Sequence, residues 1–83
     1  MIKTEIAKKL LRRVFIKELM GAGRCEYYEI DGKMDGEYIS WYRNGQLAYR
    51  CYFENGRLEG KYEHWEEGGQ LLEHYYYNNG VKI

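Results

Sequence analysis

The chain has 83 residues, a formal net charge of zero and a mean hydropathy of -0.77, which confines it to one domain near the lower size limit for a self-sufficient core. Neutrality removes any global electrostatic drive toward nucleic acid, and no stretch approaches the roughly 18 consecutive apolar residues of a membrane span. The charge is divided along the chain: residues 1–20 carry six bases (Lys3, Lys8, Lys9, Arg12, Arg13, Lys17) against Glu5 and Glu18, so a basic head precedes an acidic body.

In the head, Ile6, Ala7, Leu10, Leu11, Val14 and Phe15 follow i, i+3, i+4 spacing, with Lys8, Lys9, Arg12 and Arg13 on the other side. That pattern predicts an amphipathic helix over residues 4–15, with Thr4 as its N-cap. Ile16, Leu19 and Met20 leave the apolar stripe, so a helix continued to residue 20 is apolar on more than one side. The chain is accordingly divided into a basic helical segment, residues 1–20, and an array, residues 21–83. A second reading competes for the same residues: Gly21 precedes Gly45 by 24 positions, which makes Val14 to Leu19 the first strand of a degenerate half-repeat. As a helix, the segment has three uses. It caps the end of the array, it pairs with a second copy in a homodimer, or it lies on an anionic membrane surface. Lys8, Lys9, Leu11, Arg12 and Phe15 are its candidate oligomer or membrane contacts. Charges interrupt the apolar residues every two or three positions, so there is no continuous secretory h-region and the expected location is cytoplasmic.

From residue 28 to residue 80 the sequence repeats with a period of 24. Tyr28, Tyr52 and Tyr76 form one column, and Asp31-Gly32, Asn55-Gly56 and Asn79-Gly80 form the next. Met34 matches Leu58, Asp35-Gly36 matches Glu59-Gly60, Tyr38 matches Tyr62, and Trp41 matches Trp65. Gly45-Gln46-Leu47 then matches Gly69-Gln70-Leu71. Asp-Gly and Asn-Gly between aromatic runs signal type I′ hairpins, and Asn44-Gly45 repeats that chemistry half a period later. The fold class is therefore mainly β: a single-layer array of antiparallel β-hairpins with one N-terminal α-helix. Tyr38 and Trp41 lie three apart, so a bulge separates them or they cover different faces; Gly36 and Gly60 are candidate bulge or close-approach sites.

With these columns in place, Tyr-x-x-Asn/Asp-Gly-Lys/Arg-Leu/Met-Glu/Asp-Gly-x-Tyr-x-x-Trp-x-x-x-Gly-Gln-Leu resembles the MORN-repeat variant, in its short bacterial form found in antitoxin-type repeat proteins. The likeness covers about residues 26–83 and is carried by Glu54 to Tyr62 and Arg43 to Leu47. It implies a twisted single-layer hairpin array with aromatic side chains stacked along a groove, engaged in protein recognition or phospholipid contact. The antitoxin members imply neutralisation of a partner protein. Two full repeats and a fragment are fewer than a free-standing array usually has, and the basic head lies outside the repeat.

No catalytic constellation stands out, so the chain is read as a non-enzyme without cofactor or metal. His64 and His74 are ten apart with no cysteine pair near them. Cys25 and Cys51, 26 apart, read as reduced thiols on one strand face. The acidic residues alternate with aromatics as a solvated face would. What remains is a non-catalytic protein-binding module, antitoxin-like or a small inhibitor, with the membrane-peripheral or homo-oligomeric scaffold as its alternative. Aromatic side chains dominate binding hot spots, and the candidate partner-binding residues are Trp41, Tyr42, Tyr49, Trp65 and Tyr77 with Glu63 and Glu66.

Overall fold

The computed structural model describes residues 13–19 and 23–83, with the backbone alone at positions 13, 15, 18 and 19. Lys8, Lys9, Leu11 and Arg12, and with them residues 4–12 of the helix expected over residues 4–15, lie outside the described residues. All regular structure among those described is β. The strands are β1 (Arg13–Leu19), β2 (Gly23–Ile30), β3 (Lys33–Met34), β4 (Gly36–Trp41), β5 (Leu47–Glu54), β6 (Arg57–Trp65), β7 (Leu71–Asn78) and β8 (Val81–Lys82). They form one sheet in the order β1-β2-β4-β5-β6-β7-β8, with β3 also on β2, and every pairing is antiparallel. The mainly-β hairpin array expected from the repeat is the observed architecture.

The N-terminal boundary needs correction. Residues 13–19 are strand, not the end of a helix, so the array begins at or before Arg13 rather than at residue 21. Val14, Phe15 and Ile16 pair with Tyr28, Tyr27 and Glu26. A run of β-branched and aromatic residues suits a pleated surface better than a helix interior, and cross-strand pairing outweighs the 3.6-residue periodicity read there. The half-repeat reading of residues 14–19 is thus the one the chain adopts, and Phe15 lies in β1 instead of on a helix.

Two turn geometries alternate. Asp31, Asn55 and Asn79 have φ of 50°, 52° and 53°, each followed by a glycine also at positive φ, the backbone of two-residue type I′ hairpins. At the other edge, the Gly45 N–H donates to the Tyr42 carbonyl at 2.9 Å and the Tyr42 N–H to the Gln46 carbonyl at 2.8 Å. Gly69, Glu66 and Gln70 repeat both bonds, each at 2.9 Å. These are three-residue loops. The type I′ turn expected at Asn44-Gly45 is therefore replaced, because Asn44 is not at positive φ; its Oδ1 instead accepts the Gln46 N–H at 2.8 Å, a side-chain bond that fixes the loop locally.

Register irregularities recur with the same period. Ser40 faces Tyr49 but Trp41 faces Leu47, and His64 faces Glu73 but Trp65 faces Leu71. Each is a one-residue bulge with its extra residue, Ala48 or Leu72, on the partner strand, so Tyr38 and Trp41 alternate regularly and cover different faces. Between β5 and β6, Cys51 faces Tyr62 and Phe53 faces Leu58, so Glu59-Gly60 supplies two extra residues on β6. Asp35-Gly36 does the same against β2. An even slip preserves the alternation of side chains. It also frees two carboxylates: Asp35 Oδ2 accepts the Asn55 N–H at 3.2 Å and Glu59 Oε1 accepts the Asn79 N–H at 2.8 Å. Beside them, the Gly56 N–H donates to Met34 and the Gly80 N–H to Leu58, both at 2.8 Å. Each type I′ turn is thereby docked onto the repeat before it.

Candidate functional site

A sheet with one layer has nowhere to hide its apolar side chains. Among the described residues only Cys25, Tyr27, Ala48 and Cys51 are buried apolar groups, with Asp35 and Ser40 as buried polar ones, and no large side chain is fully enclosed. Strand alternation and the even slip collect Tyr27, Tyr38, Tyr49, Cys51, Phe53, Tyr62, Tyr75 and Tyr77 on one face. There the rings pack against one another in place of a second sheet. Tyr27 lies 6.1 Å from Tyr38, Tyr38 lies 6.5 Å from Phe53, and Tyr62 contacts Tyr49, Tyr75 and Tyr77 at 6.2, 6.0 and 5.9 Å. Stacked and edge-on pairs at these distances each add about 0.5–1.5 kcal/mol beyond area burial. Lysines close the ladder at both ends: Lys17 Nζ sits 5.5 Å from the Tyr27 ring centre and Lys82 Nζ 4.1 Å from that of Tyr75.

In the middle of this face Met34, Tyr38, Tyr49, Cys51, Phe53, Leu58 and Tyr62 line an open groove of about 300 Å³. Its chemistry at neutral pH is uncharged. Burial pushes the Cys51 thiol up to about 11 and raises the Tyr62 and Tyr38 phenols, the latter with a further push from Cys25. The charged groups stand on its rim. His64 stacks on Tyr49 with ring centres 4.0 Å apart and 4° between planes, and its Nδ1 lies 3.2 Å from Glu73 Oε1. The Tyr75 hydroxyl donates to Glu73 Oε2 at 2.8 Å. These two donors, Tyr75 first and His64 second, lower the Glu73 carboxyl.

Cys25 and Cys51 share this face as free thiols. Cys25 faces Ser40 and Cys51 faces Tyr38, so β4 runs between them. Strands two apart are separated by roughly 9–10 Å, beyond the roughly 7 Å that a disulfide spans.

The candidate partner-binding residues do not form one surface. Tyr49 and Tyr77 lie on the tyrosine face. Trp41, Trp65 and Glu63 lie on the opposite one, where Trp41 carries Arg24 over its ring at 4.6 Å and Glu63 lies 3.8 Å from Lys61 Nζ. Tyr42 and Glu66 stand at the three-residue loops. The Tyr42 hydroxyl donates to the Trp65 carbonyl at 2.6 Å and approaches His64 Nε2 at 3.5 Å, tying one hairpin to the next. Tyr42, Tyr49 and Tyr77, singled out as spare aromatics by alternation, are each engaged within the sheet. Met34, Tyr38, Phe53, Leu58 and Tyr62 line the groove and are not among the candidates read from sequence; the Asn55-Gly56 turn, which sets Leu58 opposite Phe53, and alternation from Leu58 to Tyr62 are the signal for them.

Comparison with family models, curated proteins and solved structures finds no match to the chain, so function rests on geometry. Among the described residues no cluster of His, Cys, Asp and Glu converges as a metal site, and no helix is long and apolar enough to cross a membrane.

Proposed function

We propose that this chain is a non-catalytic protein-binding module, antitoxin-like or a small inhibitor, that engages a partner protein through its tyrosine face. The observation that carries the reading is the uncovered groove of Met34, Tyr38, Tyr49, Phe53, Leu58 and Tyr62. Rigid aromatic side chains already held by their neighbours lose little entropy when a partner docks, and a neutral floor with a charged rim is the usual layout of an interface core. The MORN-variant reading belongs here too. What supports it is that one 24-residue sequence repeat corresponds to one hairpin, with Asn-Gly turns, bulge glycines and loop glycines at equivalent places in each.

Affinity capture from source cells with the wild-type chain and with Leu58→Glu tests the reading. Leu58 is half-buried at the groove, and a carboxylate there opposes docking of an apolar surface. The wild-type chain should retain one stoichiometric protein that the folded variant loses, with circular dichroism verifying the fold. Absence of a stoichiometric partner in the wild-type capture overturns the reading.

A further inference from the structure

The other recess lies on the opposite side of the sheet, where the start of β2 meets the β4–β5 loop. Gly23, Arg24, Trp41, Tyr42, Arg43 and Gly45 line it, with a volume of about 340 Å³. Its floor is a close backbone approach: a Cβ on Gly23 would stand 2.1 Å from the Trp41 carbonyl oxygen. Both arginines are exposed, and none of the described residues that line the recess is a carboxylate. Elsewhere on the body Arg50 pairs with Glu37 at 2.9 Å and Lys61 with Glu63 at 3.8 Å. Among the described residues Arg24 and Arg43, like Lys33, Arg57 and Lys82, have no carboxylate partner, and Glu18 stands opposite Arg24 in the β1–β2 register.

Repeat symmetry separates what the scaffold requires from what it does not. One period on, Trp41 recurs as Trp65, Gly45 as Gly69 and Gln46 as Gln70, whereas Arg24 becomes Ala48, Tyr42 becomes Glu66 and Arg43 becomes Glu67. The second hairpin closes the same loop with the same hydrogen bonds without either arginine. The two guanidiniums are therefore dispensable to the hairpin. The Arg24 guanidinium carbon sits 4.6 Å from the Trp41 ring centre and the side chain is exposed; a guanidinium positioned by an aromatic ring suits recognition of a carboxylate.

We propose that this recess receives an acidic side chain of a partner protein, its carboxylate held between Arg24 and Arg43 beside Trp41. The inference rests on the protein-binding reading and gives the partner a chemical character: an apolar patch for the tyrosine groove and an acidic segment for the arginine recess. A short oligoglutamate peptide, titrated into isotope-labelled full chain, tests it directly. The Trp41 indole N–H and the Gly45 amide should shift and saturate, with affinity falling as salt rises. Arg24→Gln with Arg43→Gln should weaken binding at least tenfold, while Arg50→Gln should leave it unchanged. No shift at Trp41 and Gly45, or equal shifts in the double variant, overturns the proposal. So does inorganic phosphate producing the shifts when oligoglutamate does not, which would make the recess a small-anion site. A captured partner retained equally by the double variant overturns the proposal and leaves the module reading standing; a partner lost by the double variant supports both.

Discussion

Two glycines at positive φ separate backbone strain from steric exclusion. Gly60 has φ of +81° and nothing within 4 Å of the position a Cβ would take; Gly23 has φ of +107° and would place a Cβ 2.1 Å from the Trp41 oxygen and 2.8 Å from the Tyr42 carbonyl carbon. Gly60→Ala therefore meets only the left-handed penalty of about 1–2 kcal/mol. Gly23→Ala meets a penalty of similar or larger size and must also push β2 off β4, adding about 1–3 kcal/mol. Its total is about 2–5 kcal/mol, a large part of the roughly 5–15 kcal/mol that holds a small domain folded. Urea unfolding followed by tryptophan fluorescence measures both. The midpoint should fall further for Gly23→Ala, and the emission of Trp41, separated from that of Trp65 in a Trp65→Phe background, should move before unfolding only in that variant. Equal midpoints for the two variants would refute the close approach that forms the floor of the arginine recess.

Three further outcomes follow from the hydrogen bonds and the buried thiol. Asp35 is 5% exposed and accepts the Asn55 N–H at 3.2 Å, so Asp35→Ala should cost about 1–3 kcal/mol in a denaturant titration. Glu59→Ala, at the exposed equivalent, should cost less because water replaces its carboxylate. Tyr42→Phe removes the 2.6 Å bond to the Trp65 carbonyl and should lower stability by about 0.5–1.5 kcal/mol without changing the sheet signal in circular dichroism. Cys51, raised by burial from an ordinary 9.0 to about 11, should react with iodoacetamide at pH 8 about a hundredfold more slowly in the native chain than in the unfolded one, two pH units being two decades of thiolate. Because the folded value is the higher, the protonated thiol favours the native state: that contribution is intact below pH 9 and is lost as pH rises toward 11. Native labelling as fast as unfolded labelling, or a stability flat through that window, would contradict the burial of the thiol.

The hairpin array was legible because its signals are local. Asn55-Gly56 and Asn79-Gly80 must turn, and the aromatic runs between them must extend. The N-terminal boundary was not, because Val14 and Phe15 satisfy a helical stripe and a β run equally over so few residues, and only the presence of β2 alongside decides between them. Asn44-Gly45 misled for a related reason: an asparagine before a glycine serves a type I′ turn or a three-residue loop, and the choice rests on whether Asn44 Oδ1 captures the Gln46 N–H. The groove was hidden by a subtler effect. The two-residue Asn55-Gly56 turn sets Leu58 opposite Phe53, and alternation carries Tyr62 to the same face; that these side chains leave an open groove depends on how the sheet twists and packs.

An internal repeat also offers a form of comparison that one sequence otherwise lacks. Positions that recur at 24 residues, such as Trp41 and Trp65 or Asp35 and Glu59, answer to demands that both hairpins share: loop closure, docking of the next turn, and aromatic packing. Positions that break the period are released from those demands. Arg24 and Arg43 against Ala48 and Glu67 break it in charge, and Gly23 against Leu47 breaks it in backbone, beside a loop whose hydrogen bonds are repeated. On the tyrosine face the period holds through Tyr38 and Tyr62 while Phe53 gives way to Tyr77, so ring size is kept and only a hydroxyl is gained. Elsewhere on that face the period breaks as well, Tyr27 giving way to Cys51 and Tyr49 to Glu73. The arginine recess lies on the opposite face and its charges have no counterpart one period on, so under the proposal above it fixes one register in which a partner docks.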